Sequence, residues 1–132
     1  MLSEAIEYHI ARYHVTEFVV GNYGGFDRLA AKALVEAKKR HPQIVVSMLI
    51  PYHPAERSVD IPSGFDNSFY PPGMEKVPRR LAIVRANRYM VDHVDYLIAY
   101  VWHPASSARN LMEYAQKKGI CVTNLGESYM SK

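Results

Sequence analysis

Apolar and polar positions follow two different periods along the chain, and the change between the periods predicts its strands and helices. Four short runs are almost wholly apolar and rich in β-branched or aromatic residues, as buried strands are. These runs are residues 17–21, 44–50, 96–102 and 120–123. Other segments place apolar residues at every third or fourth position, which is helical spacing. They are residues 2–14, 26–40 and 78–93 and a last segment that ends at Lys118. Ser106 or Ser107 can cap the helix predicted for that last segment.

This alternation of strands and helices is typical of an α/β protein with a mostly parallel sheet. We predict a Rossmann-like three-layer sandwich with a sheet of about four strands, formed by residues 1–132 as a single domain. Residues 51–77 lack a helix or strand pattern, and their prolines predict an irregular loop. The aromatic residues in that loop favour an ordered flap over a linker. Ligands of parallel sheets bind beyond the carboxyl ends of the strands, so we expect three loops to converge on one crevice there.

The loop after the first predicted strand is rich in glycine and leads directly into a helix. We take Gly21, Asn22, Gly24 and Gly25 as candidate ligand contacts, because glycine lets a ligand approach the backbone and a helix N-terminus attracts anions. Asp27 follows in the first turn of the helix. Its carboxylate would compete with a phosphate there or bind a ribose hydroxyl instead. The alternative is a tight turn and a helix cap with no ligand.

The start of the last helix is a second candidate. The hydroxyls of Ser106 and Ser107, the first N–H groups of the helix and the Arg109 guanidinium could together clasp a phosphate. Glu113 follows Arg109 by four positions, so both side chains lie on one helix face. The alternative is an N-capped helix with a surface salt bridge.

Basic residues are concentrated in residues 76–88, although the net charge of the chain is only +3. They are Lys76, Arg79, Arg80, Arg85 and Arg88. Two interpretations remain open, a solvated helix face and a patch that faces phosphate. In the overlapping stretch of residues 85–95, Asn87 is a further candidate contact, and Arg88 and Asp95 are spaced to share one face.

Composition narrows the class of protein. Hydrophobic residues make up 48% of the chain and charged residues 22%, as in ordinary globular proteins. No apolar run approaches the roughly 20 residues that span a bilayer, and the first residues lack the apolar stretch of a signal peptide. We therefore expect a cytoplasmic protein without membrane partners. The single cysteine, Cys121, is predicted to be a small buried side chain.

The histidines have no metal-ligand spacing, so we expect no metal and no cofactor. The ten tyrosines are scattered and no dense basic stripe accompanies them, so we expect no nucleic-acid partner.

Three stretches, taken in order, resemble the SLOG superfamily, the Rossmann-like group that joins DNA-processing protein A and the lonely-guy phosphoribohydrolases. The likeness is to its small YpsA-like members in bacteria and phages. The stretches are GGFDRLAAKALVEAKKRHPQI, SMLIPY, and RANRYMVDHVDYLIAYV followed by NLMEYAQKKGI, and they cover most of residues 18–124. The resemblance implies a nucleotide or nucleotide-derived ligand. Residues that match the family motifs are Gly24, Gly25, Asp27, Asn87, Met90, Asp95 and Glu113.

The chain also departs from the family pattern. Residues 104–109, from Pro104 to Arg109, replace a glycine-rich loop and contain no glycine. Ala86 stands where an arginine is expected, with Arg85 and Arg88 on either side. The first strand of the family is missing before the first helix. Either the chain is truncated, or the strands that contain Val19 and Tyr96 meet directly, or a partner chain fills the gap.

These observations predict a nucleotide-binding module that senses or sequesters its ligand. One alternative is a nucleoside-monophosphate phosphoribohydrolase, in which the resemblance implies Glu113 as acid and base and Arg88 or Arg85 on the phosphate. Another alternative is an interaction domain that has lost its pocket. Because unpaired sheet edges favour self-association, we also expect a homo-oligomer.

Overall fold

The computed structural model describes residues 1–57, 60–103 and 105–126. This part of the chain forms four α-helices and five β-strands, which alternate except that β2 is followed directly by β3. In order they are α1 (Leu2–Tyr13), β1 (Glu17–Val20), α2 (Gly25–Arg40), β2 (Val45–Leu49), β3 (Asn67–Phe69), α3 (Ala82–Asp92), β4 (Tyr96–Ala99), α4 (Ser107–Lys117) and β5 (Cys121–Asn124). Two short 3₁₀ helices, Met74–Lys76 and Arg79–Leu81, precede α3. Every strand pair is parallel, which confirms the α/β, Rossmann-like class.

The chain divides into two compact units, Met1–Ala82 and Ile83–Lys132. The first unit contains a three-stranded sheet in the order β1-β2-β3. Glu17 aligns with Val45 in β2, and Ser47 aligns with Asn67 in β3. β2 is the central strand and supplies much of the core, with Val45 and Ser47 half-buried. Val46, Met48, Leu49 and Ile50 are all buried.

Two helices of the first unit are tied together at one end by charged side chains. Glu7 of α1 accepts hydrogen bonds from Arg40 Nε at 2.7 Å and contacts His41 Nε2 at 2.7 Å. These bonds lower the pKa of Glu7 below its usual value, with the His41 bond as the largest cause and the Arg40 bond next. Leu34 and Ala37 are the buried residues of α2. Leu29, which belongs to the apolar stripe of the predicted helix, is 63% exposed.

The second unit contains the two-stranded sheet β4-β5. Tyr96 aligns with Cys121 and Ala99 with Asn124. Its core cluster consists of Ala99, Val101 and Met112, with Leu97 and Val122 packed against it. The prediction that Cys121 is buried is wrong, because this residue begins β5, which has a partner strand on one side only in the described sheet, and its side chain is exposed.

Two further differences from the sequence prediction concern the strands. There are five strands in two sheets, where about four strands in one sheet were expected. The additional strand, β3, lies in the stretch predicted to be an irregular loop, of which residues 58 and 59 fall outside the described part. β1 and β4 belong to different sheets. The alternative in which the strands of Val19 and Tyr96 pair directly is therefore wrong.

None of the described helices has the length and apolar character needed to cross a bilayer.

Candidate functional site

The glycine turn joins the end of β1 to the start of α2 in four residues, Gly21 to Gly24. Gly24 has φ 152° and ψ 166°, a conformation that is essentially restricted to glycine. It has no side chain with which to cap α2, whereas Ser106 caps α4. The predicted turn is therefore present, and the helix begins directly after it.

Asp27 closes this turn from inside the helix. Its Oδ2 accepts a hydrogen bond from the backbone N–H of Tyr23 at 3.0 Å. The same oxygen lies 3.0 Å from the position that a Cβ atom on Gly21 would take. The carboxylate thus folds over the turn, and its negative charge opposes the binding of a phosphate at the same place. A hydroxyl donor is the better match for a carboxylate held in this way.

Aromatic and basic side chains gather beyond the ends of β1 and β2. Tyr52 follows β2, and Tyr23 of the glycine turn contacts it edge to face with 6.1 Å between ring centroids. The Cζ atom of Arg57 lies 4.7 Å from the centroid of the Tyr52 ring, and that of Arg79 lies 5.8 Å from it. Glu56 pairs with Arg79, with 3.4 Å between Oε1 and Nε. We call these five residues the Tyr52 cluster.

The end of β3 contributes to the same region. Tyr70 directly follows this strand and contacts the ring of His53 at 5.5 Å. Burial raises the pKa of Tyr70 above its usual value, and the charges of Glu75 and Glu56 raise it further. Because Tyr70 contacts His53, the residue next to Tyr52, all three strands of the first sheet end near the Tyr52 cluster.

The candidate residues on α3 lie in the second unit, and one of them contacts a side chain of α4. The Arg88 guanidinium lies over the ring of Tyr114, 5.1 Å from its centroid. Arg85 is exposed and Asn87 is half-buried. α3 ends at Asp92, so Asp95 lies beyond the helix and the predicted face shared with Arg88 does not form.

Tyr114 also anchors α4 to the end of α3. Its hydroxyl donates to Asp92 Oδ1 at 2.8 Å, and Lys118 Nζ lies 3.4 Å from the same oxygen. The Tyr114 hydrogen bond is the largest cause of a lowered pKa at Asp92, and the pKa of Lys118 is raised mainly by its hydrogen bond to Asp92. Arg88 therefore belongs to a cluster that joins two helices.

At the start of α4 the candidate side chains are engaged with one another. The Ser106 hydroxyl accepts from the Arg109 N–H at 3.1 Å and donates to the His103 carbonyl at 3.1 Å. Arg109 Nε donates to Glu113 Oε1 at 3.0 Å. Ser107 is exposed, and Pro104 lies outside the described residues. The arrangement matches the capped helix with a surface salt bridge.

Several residues of functional interest were missed by the sequence reasoning, including Tyr23, which lies in the glycine turn but was not among the candidate contacts. Arg57 was not singled out, since its contact with Tyr52 depends on how the loop after β2 folds. Asn124 was also missed, although a polar residue at the end of an apolar strand is a usable signal. Its Oδ1 accepts from the Val101 N–H at 2.8 Å and its Nδ2 donates to the Val101 carbonyl at 3.0 Å.

Among the described residues, no group of three or more His, Cys, Asp or Glu side chains is placed to hold a metal ion.

The glycine turn and the Tyr52 cluster thus form one candidate site in the first unit, whereas the second unit holds the remaining candidates. Comparison with known proteins gives no further guide, because neither a scan against protein-family models nor a search of curated proteins returned a match.

Proposed function

We propose that the chain is a nucleotide-binding module that senses or sequesters a nucleotide or a nucleotide-derived ligand at the carboxyl ends of β1, β2 and β3. The observation that carries the proposal is that the glycine turn meets the Tyr52 cluster through the contact of Tyr23 with Tyr52. Ligands of parallel α/β sheets bind beyond this edge. The loops there combine aromatic rings, a carboxylate and guanidinium groups, which are the groups that bases, sugars and phosphates need.

Each part of a nucleoside has a matching group in these loops. The Tyr23 ring, which is 38% exposed, offers a surface on which a base can stack, a contact worth about 1–3 kcal/mol per base. Asp27 accepts one backbone hydrogen bond through Oδ2, and a carboxylate has further lone pairs for a ribose hydroxyl. The glycine backbone lets a ligand approach closely.

The predicted ligand-binding residues of the second unit give weaker support to the proposal. Arg88 lies over Tyr114, Ser106 caps α4, and Arg109 pairs with Glu113. Ser106 and Arg109 would each have to give up a side-chain hydrogen bond to bind a ligand. Arg85 and Ser107 are exposed and remain predicted contacts.

The likeness to the SLOG superfamily supports the same class of ligand and stays a prediction. A single cysteine in 132 residues fits a reducing compartment. We accordingly propose that the protein acts in the cytoplasm.

A thermal-shift panel of nucleosides and of nucleoside mono-, di- and cyclic phosphates tests the proposal. A ligand at about 100 times its dissociation constant stabilises the folded state by roughly 2.7 kcal/mol, which a melting curve resolves. We expect a clear shift for at least one compound, and we expect Tyr23→Ala to reduce it. Tyr8→Ala is the matched control, since Tyr8 is 53% exposed on α1 and lies outside the Tyr52 cluster. A panel without any shift, or an equal loss in both variants, would contradict the proposal.

The phosphoribohydrolase alternative has its own test. It requires free base to be released from a nucleoside monophosphate and the release to be lost in Glu113→Ala. The ion pair of Glu113 with Arg109 at 3.0 Å gives the carboxylate a structural role without catalysis. The interaction-domain alternative predicts an oligomer by light scattering and no nucleotide binding.

A further inference from the structure

Two guanidinium groups converge on one aromatic ring in the Tyr52 cluster. The Cζ atoms of Arg57 and Arg79 lie 4.7 and 5.8 Å from the centroid of Tyr52. Their like charges repel, whereas the electron-rich ring attracts each of them. Such an arrangement is stabilised when an anion lies between or beside the two cations.

The cluster contains one carboxylate for these two cations. Glu56 Oε1 lies 3.4 Å from Arg79 Nε, and the two side chains are 51% and 63% exposed. An ion pair that is this long and this exposed is weak and exchanges readily with another anion. Another anion can therefore displace Glu56 from Arg79.

The glycine turn is poorly suited to bind the phosphates of a nucleotide. Arg57 and Arg79 are therefore the better candidates for phosphate binding. The Asp27 carboxylate occupies the turn through its hydrogen bond with the Tyr23 N–H. A phosphate placed there would meet a like charge. Arginine, in contrast, presents planar N–H donors that bind phosphate oxygens two at a time.

We infer that Arg57 and Arg79 bind a di- or triphosphate group, and that Glu56 holds the phosphate position on Arg79 when no ligand is bound. The inference rests on the proposed function for the nucleoside part of the ligand. It deepens that function by naming the class, a nucleoside polyphosphate. Asp27 then takes the sugar hydroxyl and Tyr23 takes the base.

Isothermal titration of the full chain with adenosine, adenosine mono- and diphosphate, and pyrophosphate tests the inference. We expect the diphosphate to bind more tightly than the monophosphate. Arg57→Gln and Arg79→Gln should each weaken diphosphate binding by about tenfold or more, the effect of losing one charge-assisted hydrogen bond. Adenosine affinity should not change in either variant. Glu56→Gln should tighten diphosphate binding, because it removes the competing carboxylate.

Arg80→Gln is the matched control for net charge, since Arg80 is the exposed neighbour of Arg79 in the same 3₁₀ helix. Equal weakening by this variant would show a general effect of charge. It would overturn the inference that Arg57 and Arg79 form a phosphate clamp. Circular dichroism of each variant confirms that it is folded.

The outcomes distinguish a failure of the phosphate clamp from a failure of the proposed nucleotide-binding function. Nucleotide binding that is unchanged in Arg57→Gln and Arg79→Gln overturns the clamp and leaves the proposed function intact. Pyrophosphate binding that needs both arginines, without any binding of adenosine or gain from the nucleoside, supports the clamp and overturns the nucleotide function. If neither pyrophosphate nor any nucleotide binds, both proposals fail.

Discussion

Gly126 lies where the backbone of a neighbouring segment leaves no room for a side chain. A Cβ atom on this residue would lie 2.6 Å from the Val101 carbonyl oxygen and 2.8 Å from the carbonyl carbon. Asn124 brings the two segments together, because its Oδ1 accepts from both the Val101 and the Gly126 N–H groups. Backbone atoms cannot move aside as the end of a flexible side chain can. Glycine is thus required here by close packing.

The substitution Gly126→Ala should lower the free energy of unfolding by about 1–3 kcal/mol, the usual range for overpacking. Urea denaturation followed by circular dichroism measures the change. Gly25→Ala is the control, because a Cβ atom there meets no atom within 4 Å and Gly25 begins α2. We expect that variant to be neutral or more stable by up to about 1 kcal/mol. Equal losses in both variants would show that the contact with Val101 is not the cause.

Side-chain chemistry could be predicted from the sequence where the partners are close along the chain. The Ser106 cap and the pair of Arg109 with Glu113 follow from spacings of three and four positions, and both are present. The contact of Arg79 with Tyr52 could not be predicted in this way, because it depends on the fold of the intervening loop. The glycine turn is likewise formed by residues close along the chain and could be predicted. The Tyr52 cluster depends on the fold of a loop and could not.

β3 shows why one element escaped prediction. It has only three residues, Asn67–Phe69, and two of them are polar, so neither length nor alternation identifies it. Tertiary contacts fix its position instead. Asp66 Oδ2 accepts from the Val46 N–H at 2.8 Å and from Lys38 at 2.9 Å, and the Asp66 N–H donates to the Val46 carbonyl. The side chain of Asp66 thereby extends the strand pairing by one position.

Replacing Asp66 by alanine should loosen β3 without loosening the rest of the sheet. The Ile50 N–H reports on β3, since it donates to the Phe69 carbonyl at 2.9 Å. The Val45 N–H is an internal control, because it donates to the Thr16 carbonyl at 2.8 Å, on the side of β2 that faces β1. In Asp66→Ala we expect faster hydrogen exchange at Ile50 and little change at Val45, measured by NMR. Equal acceleration at both amides would mean that Asp66 stabilises the whole unit.

For the molecule as a whole, the order of the helices and of the four longer strands and the parallel pairing were predictable, whereas the grouping of the strands into sheets was not. Each helix and long strand has a local pattern that fixes its type, and the connections through helices require parallel neighbours. The division into Met1–Ala82 and Ile83–Lys132, each with its own sheet, depends on contacts distant along the chain. Sequence periodicity does not contain that information.

Charged pairs in both units determine how the stability of the whole chain should depend on pH. The pKa values of Glu7, Asp66 and Asp92 are lowered from usual values of 4.5, 3.8 and 3.8 by hydrogen bonds and by nearby cations. A carboxyl group with a lowered pKa contributes stability above its unfolded pKa, and the contribution is lost as the pH falls through the folded pKa. The pKa values of Tyr70 and Lys118 are raised from 10.0 and 10.5, so their contributions are lost as the pH rises past those values.

We therefore expect the free energy of unfolding to fall on the acid side below 4.5 and on the alkaline side above 10.0, the usual pKa values of Glu7 and Tyr70. Urea denaturation over a series of pH values measures both limbs. The combined variant Glu7→Gln, Asp66→Asn and Asp92→Asn should be less stable at neutral pH and should lose less of its stability on acidification. General repulsion among the 16 lysines and arginines also grows in acid. Salt screens that repulsion, whereas the hydrogen bonds that are the largest cause of each lowered pKa remain, so part of the difference between the variant and the parent should persist at high salt. Parallel acid limbs in the two proteins would show that these three carboxylates do not control the acid sensitivity.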